Sequence, residues 1–218
     1  TRRSSDLSEW MGYCLLFEAM LGSVLYARDR YLREGGLMVP SHCTLRIAPV
    51  VDQEYIADSV DFWKDVYGFD MTVMGEGIHE NVLVRQLNMD NLAAIGVTFK
   101  TLDLHNIAVE DLNFTKEFEV TVDAEEEVEL DGWCIWFDTF FLPSPTTTTL
   151  PANATADQWR GEGNAFTTGP AGKQTHWQSG VLMIDKAENG GTALKKDTKL
   201  KGTVTYQQDK QNSRGLEI

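Results

Sequence analysis

The sequence is short of positive charge, of cysteine and of long apolar runs, and each shortage removes a class of function. Lysine and arginine number 19 against 33 aspartates and glutamates, for a net charge of −14. A nucleic-acid binder needs the opposite balance, because it must neutralise phosphates. An anionic membrane surface is disfavoured for the same reason, and a basic partner or substrate is favoured. Cys14, Cys43 and Cys134 are an odd count without metal-ligand spacing. No disulfide framework and no metal site is therefore expected, and a reducing compartment is: the cytoplasm, with the nucleus as the second choice. No apolar run reaches the ~18 residues that span a bilayer, and the polar opening Thr1-Arg2-Arg3-Ser4-Ser5-Asp6 does not read as a signal peptide. The first residue is not Met, so the chain is expected to be a piece of something longer. Asn153-Ala154-Thr155 matches a glycosylation sequon, which in an intracellular chain reads as chance.

What is present is enough to bury a sizeable core: 42% of residues are apolar and 10% aromatic. Residues 7–34 read as a short turn and then a helix. Phe17, Met20, Leu21, Val24 and Leu25 follow the spacing of one apolar face. Arg28, Arg30 and Arg33 suit the negative end of its dipole, and Gly35-Gly36 is expected to stop it. From Leu37 the period falls to about two. Strands are expected at 44–50, 82–84, 94–99, 114–122, 132–141, 180–184 and 202–206, with another beginning at 214–218.

Residues 52–88 interrupt this β pattern. Ile56, Val60, Phe62, Trp63, Val66, Tyr67 and Phe69 stand at roughly helical spacing, broken by Gly68, Gly75 and Gly77. The stretch reads as a mostly helical excursion whose aromatics would be costly to expose, so they should dock on something. Residues 143–157 read as a low-complexity loop. The acidic run 123–129 reads as a solvated strand end or hairpin, or as a patch that attracts Arg-rich substrates.

The segment with most chemical content is Ser8-Glu9-Trp10-Met11-Gly12-Tyr13-Cys14-Leu15-Leu16-Phe17-Glu18-Ala19-Met20-Leu21. Glu9 and Glu18 flank a stretch with no charge at all. On a continuous helix their offset is about 900°, which would point them to opposite sides. They converge only if the chain turns between them, and Gly12 is a plausible turning point. Two carboxylates at one site repel, and a guanidinium between them relieves the repulsion. Arginine is planar, permanently charged and forked, so two carboxylates can grip it from different edges. From spacing alone, the plainer reading of Glu9 and Glu18 as helix-end charges stays the stronger.

The surrounding residues add a resemblance. Ser8-Glu9-Trp10-Met11-Gly12-Tyr13 through Glu18-Ala19-Met20-Leu21 resembles the double-E hairpin of protein arginine methyltransferases. The likeness continues through Ser23-Val24-Leu25-Tyr26-Ala27-Arg28-Asp29-Arg30-Tyr31-Leu32 and Gly35-Gly36. Phe62-Trp63-Lys64-Asp65-Val66-Tyr67-Gly68-Phe69-Asp70-Met71 is similar to the family's dimerisation arm. Lys173-Gln174-Thr175-His176-Trp177, preceded by Thr167-Thr168-Gly169-Pro170, is similar to its Thr-His-Trp loop. The blocks stand in the family's order, and their wording is most similar to the type I members of the type-3 branch, which methylates ribosomal proteins.

The resemblance implies transfer of a methyl group from S-adenosylmethionine to a side-chain nitrogen of arginine. It implies that Glu9 and Glu18 hold the substrate guanidinium and that His176 orients it or accepts a proton. Met20, Tyr13 and Trp177 are implied at the substrate pocket, and Met20 with Ser23 at the cofactor. Phe62, Trp63, Tyr67 and Phe69 are implied to dock on a partner subunit, giving a homodimer. The expected substrate is an arginine-containing protein, Arg-Gly-rich or ribosomal. His42, His79 and His105 read as structural.

No Gly-rich loop follows a strand and opens a helix; Gly161-Glu162-Gly163-Asn164-Ala165-Phe166 comes too late in the chain for it. The cofactor is therefore expected to be bound mainly elsewhere, and the 218 residues alone are expected to be inactive. Residues 1–36 are expected to be a remnant of a Rossmann-like domain. Residues 37–218 are expected to form a substrate-binding barrel carrying the arm at about 52–88. The expected class is α+β: a mainly antiparallel β-barrel-like domain with an N-terminal hairpin and helix and an inserted helical arm. Two rivals stand beside this reading. One is a non-catalytic family member that only dimerises or binds basic proteins. The other is an unrelated acidic barrel in which Glu9, Glu18 and His176 are not neighbours.

Overall fold

The computed structural model describes residues 6–144 and 149–218. In chain order the elements are α1 (Leu21–Tyr31), β1 (His42–Val50), α2 (Gln53–Ser59), β2 (Leu83–Arg85), β3 (Val97–Asp103), β4 (Phe114–Thr121), β5 (Val128–Glu129), β6 (Gly132–Phe141), β7 (Asn164–Thr167), β8 (Ser179–Met183), α3 (Lys186–Asn189), β9 (Ala193–Leu194), β10 (Lys199–Gln208) and β11 (Leu216–Glu217). The main sheet runs β2-β8-β6-β1-β3, with β7 also pairing β6. A smaller sheet runs β11-β10-β4, and β5 pairs β9. Every pairing is antiparallel. The architecture is α+β and mainly antiparallel, as the sequence led one to expect.

β1 and β6 form the spine, paired over the whole of β1 from His42↔Phe140 to Val50↔Gly132. Both strands are buried on their two faces, and alternation divides their side chains between two layers. Cys43, Leu45, Ile47, Ile135 and Phe137 face one core together with Leu21 and Leu25 of α1, Val204 and Tyr206 of β10, and Trp10, Cys14, Leu15 and Leu16 of the N-terminal segment. Ala48, Val50, Cys134, Trp136, Val181 and Met183 face the other, where Tyr55 and Ile56 of α2 pack. Aromatic contacts join the two sheets: Phe99 of β3 meets Tyr206 of β10 at 6.0 Å and Phe118 of β4 meets Trp133 of β6 edge-on at 5.1 Å. All three cysteines are buried and free, and burial pushes each thiol up to about 12.

The structure corrects several local expectations. The first helix is shorter than its apolar pattern suggests. Residues 11–20 form turns, so Phe17 and Met20 lie outside α1 and are exposed, while Leu21 and Leu25 are buried. The helix ends at Tyr31, with Leu32 already extended, so Gly35-Gly36 is not its stop. The excursion at 52–88 holds only α2, two one-turn 3₁₀ helices at Asp61–Lys64 and Thr72–Gly75, and then β2, which returns to the main sheet. Its aromatic spacing is not a continuous helix, because turns at Val66–Phe69, with Gly68 in a left-handed conformation, break the run. β7 was not legible in the sequence. Part of the loop expected at 143–157 lies outside the described residues.

The acidic run is a strand end with its own cations. Glu125 pairs Lys196, Glu127 pairs Lys195 at 3.3 Å, and Glu129 pairs Lys186 at 2.9 Å. The base of the arm is pinned by buried Asp131, which accepts from the Asp52 N–H at 2.7 Å and from Gln53 Nε2 at 2.9 Å. Arg85 pairs Asp52 at 2.9 Å and covers the Tyr55 ring at 3.6 Å. Beyond this base the arm contains no buried residue in α2 or in either 3₁₀ helix.

Candidate active site

The turn expected near Gly12 is present and tight. The Gly12 N–H donates to the Leu15 carbonyl and the Leu15 N–H to the Gly12 carbonyl, both at 3.0 Å. A side chain at Gly12 would run into the Phe17 carbonyl, so glycine is required by close approach. In an antiparallel register, residue 12 opposite 15 projects residue 9 opposite 18. The ladder does not continue that far, because 16–20 curl into further turns. The hairpin nevertheless reverses the chain between the two glutamates, which a helix would not.

Holding this shape costs backbone strain. Cys14, Leu15, Glu18 and Ala19 all have positive φ, at 50°, 71°, 77° and 54°. Each such non-glycine residue costs about 1 kcal/mol or more and persists only where its surroundings over-determine it. Here the surroundings are apolar. Trp10, Cys14, Leu15 and Leu16 are at most 8% exposed and plug the main core. Buried Tyr206 donates from its hydroxyl to the Cys14 carbonyl at 3.4 Å, and burial holds its phenol well above the usual tyrosine range.

The Thr-His-Trp segment meets the hairpin. Trp177 Nε1 donates to the Met11 carbonyl at 2.8 Å. Its ring stacks on Phe166 at 5.8 Å and meets Phe137 edge-on at 5.6 Å. Trp177 is thus spent on holding the loop against the hairpin base. His176 is exposed and lies on Trp177 at 4.0 Å between ring centroids. Gln178 follows with φ 50°, a further non-glycine residue in the left-handed region. The Thr175 hydroxyl is buried without a partner.

The remaining residues selected from the sequence lie along the hairpin and the start of α1. Glu9 is exposed in the extended stretch just before Trp10. Tyr13 is 43% exposed, with its ring 6.2 Å from that of Phe17. Met20 is the N-cap residue of α1, and Ser23 is exposed in its first turn. These two could border a cofactor on one edge. Among the described residues no group of three or more His, Cys, Asp or Glu is placed to hold a metal, and no helix is long and apolar enough to cross a membrane.

One contact was not legible in the sequence. Glu18 Oε1 pairs with Arg214 Nη2 at 2.9 Å, and the Glu18 N–H donates to the Arg214 carbonyl at 2.8 Å. Asn212-Ser213-Arg214-Gly215 has turn composition, but only the fold brings that turn to the hairpin.

Comparisons with known proteins place the chain in a family. Residues 41–218 match the arginine methyltransferase oligomerization subdomain. The ribosomal protein arginine N-methyltransferase rmt3 of Schizosaccharomyces pombe is 37% identical over 212 residues, covering 97% of this chain and 37% of that protein. Protein arginine N-methyltransferase 1 of Saccharomyces cerevisiae is 32% identical over 215 residues, covering 97% of this chain and 55% of its own length. The chain thus spans about half or less of the curated relatives it matches. Among solved structures, the Trypanosoma brucei PRMT1 enzyme-prozyme heterotetrameric complex with AdoHcy aligns with a TM-score of 0.79 at 24% identity, over 96% of this chain and 59% of that one. Protein arginine methyltransferase 10 of Arabidopsis thaliana, in an open conformation, aligns at 0.68 and 25% identity, over 96% and 62%. With a family match extending from β1 to the last strand, the chain belongs to the protein arginine methyltransferases, of which residues 41–218 are the oligomerization subdomain.

Proposed function

We propose that these residues are the substrate-handling and dimerising part of an S-adenosylmethionine-dependent protein-arginine methyltransferase. The observation that carries the reading is the strained hairpin. Its apolar side is locked in the core while Glu9 and Glu18 stay at the surface, and the Thr-His-Trp loop is tied to it through Trp177 and Met11. The family's methyl donor supplies an activated methyl group on a sulfonium. Met20 and Ser23 would border it, and the rest of its contacts would come from outside the described residues.

Glu9 and Glu18 grip the substrate guanidinium. Their negative charges localise its positive charge on the nitrogens they touch, which leaves the remaining terminal nitrogen more electron-rich and more nucleophilic. Orientation and fixed charge do this work, with no reorganisation at the moment of transfer. His176, whose ring lies on the Trp177 that is tied to the hairpin, orients the guanidinium or takes the departing proton. Tyr13 supplies a pocket wall, and Trp177 acts through the loop it holds. The relative named as a ribosomal protein arginine methyltransferase supports a protein substrate of that kind. The arm aromatics Phe62, Tyr67 and Phe69, at 51%, 98% and 70% exposed, are the proposed contact with a second copy.

The test supplies a family cofactor-binding region N-terminal to residue 6 and measures methylation of an Arg-Gly-rich peptide. Glu9→Gln and Glu18→Gln are each expected to lose about 3 kcal/mol of transition-state stabilisation, roughly a hundredfold or more in kcat/KM. Equal methylation by the variants would sink the assignment of roles. The 218 residues alone are expected to transfer no labelled methyl.

A further inference from the structure

We propose that Arg214 is a positioning residue, which holds one oxygen of the Glu18 carboxylate so that the other faces the substrate guanidinium. The inference rests on the reading of Glu18 as a substrate-gripping carboxylate. Three observations carry it. First, Arg214 grips Glu18 at two points: its carbonyl accepts the Glu18 N–H at 2.8 Å, and its Nη2 meets Oε1 at 2.9 Å. Glu18 sits at φ 77°, a conformation that a non-glycine residue keeps only when held. Second, Arg214 is itself anchored. Its N–H donates to Asn212 Oδ1 at 3.1 Å, Gly215 closes the same turn on the Asn212 carbonyl at 2.8 Å, and Gln208 of β10 donates to the Ser213 carbonyl. β11 then pairs Leu216 and Glu217 with Gln208 and Gln207 of β10, so the barrel sets the arginine's place. Third, the side chains of this pair are 64% and 42% exposed. A pair this open to water adds little to fold stability. What it does is remove rotamer freedom from one carboxylate, which would otherwise swivel on a surface loop.

The pairing joins Nη2 to a single carboxylate oxygen. An ion pair of that kind leaves Oε2 of Glu18 able to accept from a second guanidinium. The barrel therefore takes part in the chemistry through one turn at the far end of the chain. Arg214 does not touch the reacting atoms; it sets where Glu18 points.

The test uses the same N-terminally extended methyltransferase and a double-mutant cycle with Glu18→Gln. Arg214→Ala keeps the carbonyl contact, so the hairpin keeps its path and only the carboxylate loses its anchor. We expect kcat to fall about tenfold with KM within about twofold, and Arg214→Lys to recover most of the loss. In the Glu18→Gln background, Arg214→Ala should then change nothing further. Additive losses, or an unchanged kcat in Arg214→Ala, would overturn the proposal. So would a lower KM with kcat kept, because it would mean that Arg214 occupies the substrate's place. Should Arg214→Ala fold poorly by circular dichroism, Arg214→Gln and Arg214→Lys carry the same comparison. A Glu18→Gln variant with full activity would bring down the underlying reading as well, and it is seen independently of any change at Arg214.

Discussion

The hairpin and the arm are both irregular, both rich in aromatics and both attached to one barrel, yet they are built in opposite ways. The hairpin buries one side almost completely, with Leu15 fully inaccessible and Trp10, Cys14 and Leu16 nearly so. The arm is pinned only at its root, through Asp131, Arg85 and Tyr55. Beyond that it leaves Phe62, Tyr67, Phe69, Val73 and Met74 in solvent. The difference fits the roles proposed for each. A segment that must place charged groups to within a fraction of an ångström is anchored inside the core. A segment whose apolar face is left uncovered is completed by something outside itself.

The contrast can be broken most directly by removing buried apolar volume. Leu15→Ala in the hairpin is expected to cost about 2–5 kcal/mol in urea unfolding, because it leaves a cavity among β1, β6 and β10 side chains. Tyr67→Ala in the arm should stay within about 0.5 kcal/mol in the monomer. Equal losses at the two positions would end the distinction.

The next largest effect sharpens the arm's half. Combining Phe62→Ser, Tyr67→Ser and Phe69→Ser should weaken self-association about 30-fold or more, measured by sedimentation, while leaving monomer unfolding nearly unchanged. A drop in monomer stability with association intact would mean that the arm folds back on its own barrel.

The smallest effect concerns the side of the barrel where α1 packs. Burial holds His42 and His105 below the ordinary histidine value of 6.5, against the pull of Asp103. His105 Nε2 accepts the Met38 N–H at 3.0 Å, a bond that only the unprotonated ring nitrogen can accept. The unfolded chain then binds more protons than the folded one, so the stability that these histidines contribute is complete above about pH 6.5 and is lost as pH falls through their lowered values. Melting temperature is expected to fall between about pH 7 and 5, and His42→Gln with His105→Gln should flatten that limb. An unchanged slope would assign the acid sensitivity to carboxylates instead.

Sequence reasoning served the spine of the barrel best. Residues 132–141 were expected as a strand and are β6, because alternation with heavy aromatic content leaves few other ways to bury those side chains. It failed where local and tertiary demands conflict. The periodic run from Phe17 to Leu25 suggests one helix, yet the backbone spends its first part in turns, because Leu15 and Leu16 gain more by entering the core than by continuing a helical face. The arm misled in the same way. Its aromatics are spaced as in a helix, but their spacing serves an outward-facing surface broken by Gly68.

The site divides along the same line. Glu9, Glu18, Gly12 and His176 could be picked out by residue type and by their wording along the chain. Arg214 could not, since nothing in Asn212-Ser213-Arg214-Gly215 names a partner at the opposite end of the chain. By itself the sequence determined the class of fold, the strands of the spine and the family, because these follow from periodicity and from short strings of side chains that act over a few residues. The tertiary structure alone decided where α1 begins, which way the hairpin is strained, which aromatics stay in water and which cation meets Glu18. Those outcomes depend on competition between distant segments for one core, and no local pattern carries the result of that competition.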